Sequence, residues 1–218
     1  MAEGDAQVYQ GAADAGSATN DFHALSFLAE RMVGRVAVAT IVKVVKATNT
    51  PGQLAAVGKV DVLPLVNQLD GYGNATPHET VYNLPYVRYG GGKNAVLVDP
   101  EVGDRGLVVF ADRDISSVKA KRDQANPGSR RRHDMADGVF LGVCLADAPE
   151  QYVRFTADGM ELGDKHGNKM TSGPTGWTIN GLLINKDGDI ITKKGVNLDT
   201  HVHSGVTSGP DNTAAPVV

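Results

Sequence analysis

The chain has 218 residues, of which 41% are hydrophobic and 21% charged, with a formal net charge of −4. This is enough apolar material for one or two domains with a buried core, and the acidic balance gives no general attraction to phosphate backbones, so nucleic acid is not an expected partner. A single cysteine, Cys144, excludes an intrachain disulfide, and the absence of a basic-then-apolar leader or an 18-residue apolar run leads us to expect a chain made and folded in the cytoplasm without insertion into a membrane.

Residues 1–20 are small and polar and are expected to form a flexible arm. Asp21 is the predicted cap of a helix over 21–33, in which Phe22, Leu25, Leu28, Ala29 and Met32 form one apolar stripe suited to docking on a neighbour. From Gly34 the period changes. Strands are predicted at Arg35 to Val45 and Lys59 to Val66, joined through the turn Asn49-Thr50-Pro51-Gly52, and then at Val81 to Arg88, Ala95 to Val98, Gly106 to Ala111 and Gly138 to Leu145. Five or six strands over residues 34–148 suit a small closed barrel of the OB-fold kind. Cys144 falls in the apolar run Val139 to Leu145 and is expected to be a buried, inert thiol.

After Pro149 the strands shorten to about five residues, as measured by the spacing of turn signals at Asp158-Gly159, His166-Gly167-Asn168, Thr175-Gly176, Asn180-Gly181, Asp187-Gly188 and Lys194-Gly195. Between them apolar residues alternate, as in Val153/Phe155, Met160/Leu162, Trp177/Ile179 and Leu182/Ile184, so each strand has one dry face. So short a ladder cannot close a core alone. Residues 149–198 are predicted to wrap with other copies into a trimeric β-helix or triangular prism whose interior Trp177 helps to fill; a β-meander packed on the barrel is the other reading of the pattern.

The last segment, 199–218, contains Asp199-Thr200-His201-Val202-His203-Ser204-Gly205, with only 15 residues beyond the second histidine. In extended backbone, positions i and i+2 share a face, so the rings of His201 and His203 can address one point and bind a metal; two exposed loop histidines are the plainer reading. Two imidazoles make an incomplete site. Further ligands must come from upstream or from other copies of the chain.

Four segments in this order resemble the central spike proteins of contractile-tailed bacteriophages, of the baseplate assembly protein V type. They are Val60-Asp61-Val62-Leu63-Pro64-Leu65-Val66-Asn67, Asn83-Leu84-Pro85-Tyr86-Val87, the run from Val102 through Gly103-Asp104-Arg105-Gly106-Leu107 to Ile115, and Thr200-His201-Val202-His203 with the following Ser208-Gly209-Pro210 and Thr213-Ala214-Ala215-Pro216-Val217. The resemblance runs from about Phe22 to the C-terminus and the polar arm departs from it. It implies an all-β chain: an N-terminal OB-fold barrel, an intertwined trimeric β-helix and a metal-bound apex. It further implies a homotrimer in which His201 and His203 of each copy give six nitrogen donors around one Fe ion per trimer. A hub protein of the baseplate would hold the barrel, the spike would sit at the tail baseplate tip of the virion after assembly in the host cytoplasm, and the host outer membrane would be touched transiently as it is pierced. Six neutral imidazoles are a donor set that suits an octahedral first-row ion such as Fe, Ni or Co, and a filled octahedron leaves no position for substrate. The ion would be structural and the chain no enzyme.

Other motifs point to nothing stronger. Asn185-Lys186-Asp187-Gly188-Asp189 has its glycine misplaced for a calcium loop and reads as a turn, while Gly90-Gly91-Gly92-Lys93 lacks the spacing of a phosphate loop. Ser129-Arg130-Arg131-Arg132-His133 has no interleaved aromatic and reads as a solvated loop or subunit contact. His23, His78, His133 and His166 have no ligand-spaced neighbours. The rival reading from another class is a carbohydrate- or oligonucleotide-binding OB-fold module that trimerises through its C-terminal β region.

Overall fold

A computed structural model describes residues 20–34, 36–70, 73–202 and 209. The chain is of the all-β class, the described residues being mostly strands with two α-helices, and it divides into two compact units at Ala146/Asp147. None of the helices among the described residues is long and apolar enough to cross a membrane.

Helix α1 spans Asp21–Val33, as its periodicity predicts. Its cap is Asn20 rather than Asp21: the Asn20 side-chain oxygen accepts from the His23 N–H at 2.9 Å, which leaves Asp21 in the first turn, where a carboxylate complements the helix dipole. The stripe stays open, with Phe22 and Met32 each 73% exposed.

Five strands follow: β1 (Ala39–Ala47), β2 (Lys59–Pro64), β3 (Val81–Pro85), β4 (Arg105–Phe110) and β5 (Gly138–Val143). They form one antiparallel sheet in the order β3-β2-β1-β4-β5. The edges meet: Tyr86, just past β3, bridges Phe140 of β5 in parallel, and the Val87 N–H donates to the Phe140 carbonyl at 2.9 Å. The sheet is thereby closed into a barrel. Irregularities of register between Val44 and Lys46, Val60 and Val62, and Leu107 and Val108 supply the bends that closure requires. Alternation along β1 and β2 turns Val42, Val44, Val60 and Val62 inward, where Leu84, Tyr86, Val108 and Phe140 complete the core.

The run Gly103-Asp104-Arg105-Gly106-Leu107 is explained by this barrel. Gly103 lies at φ +103°, a conformation L side chains avoid, and its N–H donates to the Val44 carbonyl while the Val44 N–H donates back to Asp104 O at 2.8 Å. The Asp104 carboxylate accepts from the Glu101 N–H at 2.8 Å and fixes the turn into β4. Gly106 leaves room for the Phe140 ring, since a Cβ there would fall 2.6 Å from Phe140 Cε2. Gly106→Ala should therefore force the ring or strand β5 to move, at about 1–3 kcal/mol in a urea titration; an unchanged midpoint would show that the ring is not fixed there.

Several expectations are corrected. Ala95 to Val98 is not a strand; only Asn94–Ala95 is paired, in a small hairpin with Gly90–Gly91. Cys144 is exposed rather than buried, because β5 stops at Val143 and its inward alternation ends after Phe140, beside the register shift. Helix α2 (Ser116–Lys121) lies in the long connection between β4 and β5, which no periodicity announces.

In the second unit β6 (Tyr152–Phe155), β7 (Met160–Gly163), β8 (Lys169–Gly173), β9 (Gly176–Ile179), β10 (Leu182–Asn185) and β11 (Ile190–Ile191) form an antiparallel meander in sequence order. Each predicted turn joins two consecutive strands or follows the last one. Polar side chains fold the longer loops by bonding their own backbone: Asp164 accepts from the N–H groups of His166 and Asn168, and Asn185 from those of Asp187 and Asp189. The calcium-like Asn185–Asp189 run is thus the expected turn.

Register puts Val153, Leu162, Met170, Ile179 and Leu182 in one row across the sheet, with Trp177, Ile184 and Ile190 in the next row on the same face. None of them is buried: Ile179 is 42% exposed and Trp177 37%. The fully buried apolar residues described all belong to the barrel.

Candidate metal centre

His201 is reached through a tight turn after β11. Asn197 bridges Ile191, its side-chain oxygen accepts from the Asp199 N–H at 2.9 Å, and its carbonyl accepts from the His201 N–H at 3.0 Å. This winding brings the His201 ring back on the chain, with Nδ1 2.8 Å from the Leu198 carbonyl oxygen. A carbonyl only accepts, so Nδ1 carries the proton and Nε2 carries the lone pair in the neutral ring. That is the tautomer a metal ligand needs, and a carbonyl that orients the second nitrogen is the usual support of a ligating histidine. His201 is exposed.

His203 lies outside the described residues, so the expected pairing of the two rings is stated for the sequence alone. No group of three or more His, Cys, Asp or Glu side chains placed to hold a metal occurs among the described residues of one chain. The donor type nevertheless fits the implied ion: an imidazole held by its Nδ1 is a first-row metal ligand, and further donors would come from His203 and from other copies of the chain.

The strongest electrostatic features lie elsewhere. The Arg131 guanidinium joins two buried carboxylates: Nε to Asp137 Oδ2 at 2.6 Å, Nη2 to Asp137 Oδ1 at 2.8 Å and Nη2 to Asp114 Oδ1 at 2.9 Å. Asp137 Oδ1 also accepts from the Ile115 N–H at 3.0 Å. Bonds from Ser116 and Ser129, with the charge of Arg131, hold the Asp114 carboxyl down at about 2, and the Arg131 hydrogen bond lowers that of Asp137. Arg131 therefore departs from the solvated-loop reading of the Ser129 to His133 cluster, whereas Arg130 and Arg132 are exposed. Arg88 makes a second, bidentate pair with Asp99 at 2.9 and 2.6 Å and also donates to the Ala55 carbonyl. These pairs bind barrel loops together and, being mutually satisfied, offer no acid–base couple.

In the meander, Glu161 accepts from the Tyr152 hydroxyl at 2.7 Å and Arg154 at 2.8 Å and pairs with Lys169 at 3.1 Å, which holds its carboxyl at about 2. Sequence reading missed these clusters because strand register brings Glu161 to Arg154, and loop folding brings Arg131 and Arg88 to their partners, neither of which shows as spacing. Among the other histidines, His166 contributes a backbone N–H to the Asp164 turn, and His23 meets Phe22 edge-on at 5.8 Å.

Comparison with known proteins leaves the class to be argued from these features: no family model matches the chain, and no curated protein matches it.

Proposed function

We propose that this chain is the central spike of a contractile phage or phage-like tail baseplate, a homotrimer that is driven through the host outer membrane when the sheath contracts. The observation that carries this reading is the uncovered apolar face of the six-stranded meander, with Ile179 and Trp177 partly exposed in the single chain. Such a face needs a cover, and three copies wrapped around one axis would each cover the others' faces. The interwound strands would resist unfolding from the tip because each chain's backbone hydrogen bonds are tied to its neighbours, a mechanical role that needs no catalysis.

Two further features support it. The barrel's closure, in which the third strand meets the fifth in parallel, is compatible with the OB-fold that the resemblance implies. His201 lies directly after the meander with its Nδ1 turned to the Leu198 carbonyl, the orientation that supports a ligating histidine. In the assembled spike His201 and His203 of three copies would supply the six donors for one structural Fe, cross-linking chain ends that have no hydrophobic core. The barrel units, with the open stripe of α1, would meet the baseplate hub.

Light scattering and elemental analysis of the purified full chain test the reading together. The expected result is a trimer with one metal per three chains, and loss of that metal in His201→Ala. A metal-free monomer would overturn the spike and favour an OB-fold binding module.

A further inference from the structure

The meander has a second face, and one end of it is cationic. Turns alternate between the two ends of an antiparallel meander, so the turns at 164–168, 180–181 and 192–196 lie together at one end. Two contacts confirm the grouping: Asn180 Nδ2 donates to Asn168 Oδ1 at 2.9 Å, and the stem of Lys193 lies over Gly181, where a Cβ would come within 3.2 Å of Lys193 Cγ and Cδ. Gly181 has φ +92° and follows Asn180 at φ +48°, a two-residue turn that carries no side chain where Lys193 crosses.

Beneath this crossing is a cleft of about 460 Å³ lined by Lys169, Thr171, Thr178, Asn180, Lys193 and Gly167. Lys169 and Thr171 are two residues apart on β8, and Thr171 is paired with Thr178 of β9, so all three side chains share the face opposite the apolar rows. The neighbouring turns add Lys165 and Lys194, both exposed. Against these cations stand Glu161, already shared by Tyr152, Arg154 and Lys169, and Asp164, already occupied by the N–H groups of its own turn. Net positive charge remains over two hydroxyl donors.

We infer that this cleft is an anion-binding site for a phosphate group, held between the ammonium groups of Lys169 and Lys193 and by the hydroxyls of Thr171 and Thr178. Lysine ammonium groups are point-charge phosphate binders, and hydroxyls complete the donors that the phosphate oxygens need. The lining has no aromatic ring on which a neutral sugar could stack, and its two lysines repel a metal cation. The inference needs one meander only and does not rest on the spike reading or on the state of assembly.

Two sources present this chemistry, free phosphate and the headgroup of an anionic phospholipid. The test titrates the full chain with inorganic phosphate, followed by calorimetry or by broadening of the phosphorus resonance, and separately with phosphatidylcholine vesicles with and without phosphatidic acid. Saturable phosphate binding is expected, weakened roughly tenfold in Lys193→Ala, where one charge-assisted contact is lost, and also weakened in Thr178→Val. Lys194→Ala, outside the lining, should bind within about twofold of the parent, the effect expected of a screened exposed charge. Binding to phosphatidic acid vesicles that free phosphate competes away would assign the headgroup as a ligand, and phosphate binding without vesicle binding would assign the free anion. Absence of saturable binding, or an equal loss in Lys194→Ala and Lys193→Ala, would overturn the site.

Discussion

Arg131→Met should lower the stability of the barrel unit by about 3 kcal/mol in a denaturant titration, one of the largest single-residue effects in the chain. Methionine keeps much of the stem but leaves Asp137, which is fully buried, and Asp114, 4% exposed, facing each other with no cation between them. The figure sits at the low end for a broken buried pair because the Arg131 side chain is 35% exposed, so water screens part of the interaction. Trp177, the single tryptophan, lies in the other unit, so its fluorescence transition should stay in place while the barrel's far-ultraviolet signal moves. A variant as stable as the parent would mean that the two carboxylates find other partners.

The same cluster sets an acid limit. Asp114 and Asp137 both titrate below their ordinary range when folded, so the stability they contribute is fully present above about pH 4, where the unfolded carboxyls are ionised. It is lost as pH falls from there through the folded value of Asp114 at about 2. Unfolding of the parent between pH 7 and pH 2 should steepen below pH 4, and Arg131→Met should show a flatter acid limb because the share of Asp137, whose carboxyl Arg131 chiefly lowers, is gone, while the bonds from Ser116 and Ser129 still hold Asp114 down. Equal acid limbs in the two proteins would remove Arg131 as its cause.

Local signals carried most of the fold. Helix α1 and the short strands and turns of the second unit were legible because a 3.6 period, a 2 period and glycine turns are written within a few neighbouring residues, whereas their pairing into one antiparallel meander was the secondary reading. Barrel strands β1, β2, β4 and β5 were legible for the same reason, although their ends were not: Cys144 sits in an apolar run, but the register shift beside β5 ends the inward alternation before it. Ala95 to Val98 misled because three apolar residues resemble a strand wherever they occur, and pairing is decided by what lies beside them. The Arg131 cluster was illegible in principle. Its partners are 17 and 6 residues away in irregular chain, and nothing in a run of arginines distinguishes the one that turns inward. At the candidate metal centre, His201 was singled out from spacing alone, yet the Asn197 turn and the Leu198 carbonyl that select its tautomer carry no sequence signal beyond an asparagine.

If the copies assemble as proposed, Ile179→Glu should convert the trimer to monomer. Ile179 is the fourth of five residues in the row from Val153 to Leu182, and it lies against Met170 on one side and Leu182 on the other. In one chain it is 42% exposed, so a glutamate there keeps its water and the monomer's meander still forms. In a threefold core each copy would bring that carboxylate into an apolar interior with no cation provided, at a cost of several kcal/mol per ion, and symmetry triples it. Each lost isoleucine also forfeits about 1.5–3 kcal/mol of burial. Thr178→Glu is the matched control, because the adjacent residue lies on the opposite, polar face and adds the same charge. Sedimentation should therefore separate the two variants, monomer for Ile179→Glu and trimer for Thr178→Glu, with the barrel's unfolding unchanged in both. A trimer that survives Ile179→Glu would show that the apolar rows are not where the copies meet.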